Sequence, residues 1–90
     1  MTKAIVTVIG KDRVGIIAEI SVLLAGYGIN ILDISQTLLQ DYFTMVMLVD
    51  VGQMSIPFPD VKEALSDLGE KLALSIRIQH EDIFRSMHQL

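Results

Sequence analysis

Residues 3–28 read KAIVTVIGKDRVGIIAEISVLLAGYG, and the change of rhythm inside this stretch decides the fold. Residues 3–9 are rich in β-branched side chains and stop at Gly10, which predicts a buried strand followed by a loop. After the loop, Ile16, Ile17, Ile20, Leu23, Leu24 and Tyr27 recur at helical spacing, which predicts a helix that Gly28 ends.

Reading outward, residues 30–39 form a second strand with mixed faces. Gln40-Asp41 is a polar connection of hairpin length before a third strand over 42–51. The two strands are expected to pair. Residues 52–59 contain both prolines, and Pro59-Asp60 resembles a helix start ahead of the stripe Val61, Ala64, Leu65, Leu68 and Leu72. A second helix over 59–72 follows. Residues 73–80 alternate Leu74, Ile76 and Ile78 with Ser75, Arg77 and Gln79, the pattern of a strand covered on one side. In the tail, Ile83, Phe84, Met87 and Leu90 lie at helical spacing and predict a short amphipathic helix.

The order strand, helix, strand, strand, helix, strand predicts an α+β chain with the ferredoxin-like βαββαβ sandwich. It has a four-stranded antiparallel sheet and an extra C-terminal helix. The expected division is one domain over 1–80 with the amphipathic helix at 81–90.

The chain has 90 residues, of which 51% are hydrophobic and 20% charged. With a mean hydropathy of +0.51 there is apolar material beyond the needs of one core, which points to an oligomer interface. A net charge of −4 and a pI near 4.8 argue against direct nucleic-acid binding. There is no cysteine, which excludes disulfides, thiolate metal sites and a cysteine nucleophile. The first residues lack the apolar run of a signal peptide and nothing is long enough to span a bilayer, so a cytoplasmic location is expected.

Catalytic motifs fail on context. Gly10 and Gly15 have the spacing of phosphate-loop glycines, but Ile16 and Ile17 stand where Lys and Ser or Thr belong. Gly26-Tyr27-Gly28 lies at a helix end instead of a helix start, so it is no dinucleotide fingerprint. The first strand has no aromatic residue for an RNA-binding sheet. His80 and His88, with Glu81 and Asp82 beside the first, read as surface residues rather than a metal site. No nucleophile stands beside a base. No catalytic residue, metal site or cofactor is therefore expected.

The first loop differs because it delivers a strand into a helix N-terminus. Free backbone N–H groups and the positive end of the helix dipole favour a carboxylate there. The amides around Val14, Gly15 and Ile16 suit a carboxylate and Asp12 an ammonium, so the loop suits a zwitterion. An alternative is that Asp12 only caps the helix.

At this loop, Gly10-Lys11-Asp12-Arg13-Val14-Gly15-Ile16-Ile17, followed after the helix by Gly28-Ile29-Asn30-Ile31, resembles an ACT domain over nearly the whole chain. Val14 replaces a frequent proline of that pattern. Asp33-Ile34-Ser35-Gln36-Thr37 and Tyr42-Phe43-Thr44-Met45 resemble small ACT proteins of bacteria and archaea and the domains of the glycine cleavage repressor. The resemblance implies a non-catalytic regulatory module. It also implies an amino-acid site where the first loop of one subunit meets the second strand of its neighbour, implicating Asp12, Arg13, Val14, Gly15, Ile16, Asn30 and Ile31. A homodimer and a regulated protein partner go with that reading.

Two other readings stay open. An acylphosphatase-like enzyme shares the topology, and Arg13 and Asn30 superficially fit it, although Asp12 would repel a phosphoryl group. An adaptor dimer without ligand is the other. For the dimer itself, Ala18, Val22 and Ala25 form a small-residue stripe beside the aliphatic one, and the strand at 30–39, with Asp33, is expected at a sheet edge.

Overall fold

The computed structural model describes residues 2–11 and 14–83. Its elements run β1 (Lys3–Lys11), α1 (Ile16–Gly26), β2 (Asn30–Leu39), β3 (Tyr42–Asp50), α2 (Phe58–Leu72) and β4 (Leu74–His80). The strands form one antiparallel sheet in the order β2-β3-β1-β4, the ferredoxin-like βαββαβ arrangement. Residues 81–83 are helical; Phe84, Met87, His88 and Leu90 lie outside the described residues.

Period-two alternation sets the two sheet faces. Ala4, Val6 and Val8 of β1 share a face with Met47 and Met45 of β3 and with Ile76 and Ile78 of β4, as their register requires. All seven are buried. The helices cover this face with Ile16, Ile20 and Leu24 from α1 and Val61, Leu65 and Leu72 from α2. The other face carries Thr7, Ile9, Val46 and Leu48, which remain half-buried or exposed.

Boundaries move by a residue or two for local reasons. Gly10 does not end β1, because it is paired on both sides, to Phe43 and to Leu74. Ala73 is no strand residue: it takes the left-handed conformation (φ 59°) and closes α2, its N–H donating to the Glu70 carbonyl. Pro57 takes the N-cap position, so α2 opens at Phe58. Where α2 crosses β4 a glycine is required by contact, since a Cβ on Gly69 would stand 2.6 Å from the Leu74 carbonyl oxygen. Among the described residues no helix is long and apolar enough to cross a membrane.

Candidate functional site: the first loop and the β2 edge

Gly15 is the N-cap of α1 and has φ 90°, a conformation that L side chains avoid. Among the described residues no side chain caps this helix, and none lies within 4 Å of where a Gly15 Cβ would be. None of the described residues covers the helix N-terminus. Beside it Val14 is 98% exposed, while Ile16 is buried and fastens the start of the helix to the core. Ile16 can offer a ligand only its backbone. Asp12 and Arg13 lie outside the described residues.

Asn30 and Ile31 are not next to this loop. Asn30 is exposed and paired with Asp50, which is itself paired with Lys3, at the far end of the sheet. The loop follows Lys11, in the row Lys11, Tyr42 and Leu39 at the opposite end. At about 3.4 Å per residue the length of β2 separates the two groups by roughly 30 Å. One chain does not assemble these residues into a single site.

β2 is a sheet edge, and all its residues except the half-buried Ile31 are exposed, including Leu32, Ile34, Leu38 and Leu39. A bulge between Ile31 and Asp33 shifts the register, and the Asp33 carboxylate accepts the Ile34 N–H at 2.9 Å. On α1, Ala18, Val22 and Ala25 all face solvent, with Val22 73% exposed. An open hollow of about 400 Å³, lined by Ala18, Glu19, Val22, Leu23 and Leu68, runs along this helix.

Neither the bulge at Leu32 nor the contact of His80 with Phe58 is signalled by local sequence. The two rings stack with centroids 4.0 Å apart, joining the end of β4 to the first residue of α2. No group of three or more potential metal ligands comes together among the described residues.

Comparison with known proteins extends this picture. The ACT domain profile matches residues 2–79. A UPF0237 protein of Clostridium acetobutylicum is 57% identical over 88 residues, covering 98% of this chain and 99% of that one. An ACT domain protein from Streptococcus pneumoniae superposes with a TM-score of 0.80 at 42% identity, covering 92% of this chain and 93% of that one. A structure assigned as a glycine cleavage system transcriptional repressor superposes with a TM-score of 0.73 at 27% identity, covering 88% of this chain and 45% of that longer one. With its β2-β3-β1-β4 sheet and its glycine-opened first helix, the chain belongs to the ACT domain family, alongside the small UPF0237 proteins of bacteria and archaea.

Proposed function

We propose that this protein is a non-catalytic, cytoplasmic regulatory domain that works as a twofold dimer and binds an amino acid or similar zwitterion between its subunits. ACT domains are regulatory modules that bind small ligands, and the coarse reading follows from membership. The finer reading is supported by one observation, the placement of the two halves of the site at opposite ends of β2. A twofold axis through the middle of β2 pairs that strand antiparallel with its copy, so the Leu39 end of one meets the Asn30 end of the other. The first loop of one subunit then approaches Asn30 and Ile31 of its neighbour. The exposed residues Ala18, Val22 and Ala25 come together in the same step, and Asp33 enters the joint.

In that arrangement the ligand carboxylate lies on the amides around Val14, Gly15 and Ile16, where the dipole of α1 favours an anion. Asp12 and Asn30 take the ammonium, and Arg13 and Ile31 complete the walls.

A thermal-shift screen against the common amino acids tests this, since a ligand of the native state raises Tm with its concentration. Asp12→Ala and Gly15→Val should each weaken a stabilising amino acid by about ten- to a hundredfold while the protein stays folded. Undiminished affinity in both variants would place the ligand elsewhere, and no stabilisation by any amino acid would favour the adaptor reading.

A further inference from the structure

Among the described residues the sheet has a second open edge. β4 pairs with β1 alone, in an unbroken register from Gly10 opposite Leu74 to Ala4 opposite His80. It contains no proline and no bulge, the usual devices that spoil an edge for pairing. Along it runs a groove of about 440 Å³, with Lys62, Glu63 and Ser66 of α2 on one wall and residues 76–79 of β4 on the other.

We propose that this groove accepts an extended acidic segment of another protein, added as a fifth strand beside β4. An open edge offers a row of backbone donors and acceptors, which recognises extended chain without regard to sequence. Specificity then has to come from side chains, and here they are cationic. Lys62 and Arg77, two of only seven basic residues, line the groove against Glu63 as its one acidic residue, in a chain of net charge −4. Ile76 and Ile78 are turned into the core, so Arg77 lies on the opposite, uncovered face of the sheet, whereas Lys62 lies on the helix side. An added strand alternates its side chains between the same two sides. Acidic residues on either face of it meet a cation.

The edge is not built to pair with β4 of a second copy. Arg77 is the middle residue of Leu74–His80, so twofold antiparallel pairing of two full β4 strands sets Arg77 opposite the partner's Arg77. Like charges directly opposite each other destabilise a strand pair. The proposal does not depend on which ligand the first loop takes, or on whether it takes one.

The test uses the full-length 15N-labelled protein at low salt and two blocked peptides as long as the seven residues of β4. One alternates valine with glutamate, the other valine with lysine. The glutamate peptide is expected to give saturable amide shifts in β4 and the outer turn of α2 around Lys62, and to bind several-fold more tightly than the lysine peptide. Replacing both cations, Lys62→Glu with Arg77→Glu, should reverse that preference, since the glutamates lie on one side of the added strand and meet one cation or the other, and N-methylating consecutive peptide bonds of the glutamate peptide, which blocks both its edges, should abolish its binding. The proposal is overturned by no saturable shift with the glutamate peptide, by shifts confined to β2, by a preference unchanged in the K62E/R77E variant, or by equal binding of the N-methylated peptide.

Discussion

The α1/β2 half and the α2/β4 half of the molecule are built alike on the inside and finished differently on the outside. Each helix lays aliphatic side chains on the same sheet face: Ile16, Ile20 and Leu24 from α1, Val61, Leu65 and Leu72 from α2. Outwardly, α1 (IIAEISVLLAG) has Glu19 as its one charged residue, while α2 (FPDVKEALSDLGEKL) carries Asp60, Lys62, Glu63, Asp67, Glu70 and Lys71. The edges follow the helices. β2 exposes Leu32, Ile34, Leu38 and Leu39, where β4 exposes Ser75 and Arg77. A helix with polar residues on its outer side is finished by water, and one that stays apolar there requires cover. The surplus of apolar residues is thus concentrated on one half, where the proposed dimer forms, and the polar half is left for contacts of another kind.

The comparison breaks first if the two interiors are not equivalent. Leu24→Ala and Leu65→Ala remove fully buried side chains from matching places, and each should lower unfolding free energy by about 2–5 kcal/mol. Denaturant unfolding of both variants checks this. A much smaller loss at Leu24 would mean that α1 is held by its outer face more than by the sheet.

On the exterior the two halves should diverge. Val22→Glu places a charge in the proposed interface and should weaken the dimer by about 3 kcal/mol, roughly a hundredfold in Kd. Lys62→Glu, at an exposed position of α2, should leave the mass unchanged. Sedimentation at micromolar concentration reads both, and a monomeric native chain would remove the shared ligand site together with the interface.

The two helix ends sharpen the contrast further. Gly28, just beyond α1, and Ala73, just beyond α2, both have positive φ, 75° and 59°. Gly28→Ala brings a Cβ to 2.9 Å from the Gln53 carbonyl oxygen on top of the conformational penalty, and should destabilise by about 1–3 kcal/mol. Ala73→Gly relieves the corresponding strain and should stabilise by about 0.5–1 kcal/mol. Thermal unfolding of the pair should show shifts of opposite sign.

Much of this was legible in residue order. The stripes Ile16, Ile20, Leu24 and Val61, Leu65, Leu72 and the alternation Leu74, Ile76, Ile78 are local signals, and those residues are the core. The Gln40-Asp41 connection is the tight turn between β2 and β3, with Gln40 at φ 54°. The sequence marked Gly15 as a point of close backbone approach, but its place as the N-cap of α1 at φ 90° came from the structure. The requirement for Gly69 was not legible, since its reason is a carbonyl on the following strand. The Leu32 bulge and the stacking of His80 on Phe58 were hidden for the same reason.

By itself, then, the sequence determined the element order and the buried faces, because periodicity, turn residues and helix termini act over a few neighbouring positions. The pairing of β2 with β3 and the place of β2 at a sheet edge were expected as well, from the two-residue connection and the element order. Tertiary structure alone decided the register, with its bulge between Ile31 and Asp33, and the contacts that require Gly69 and stack His80 on Phe58. These depend on pairings between residues far apart in the chain, where one residue of slippage would exchange the buried face for the exposed one.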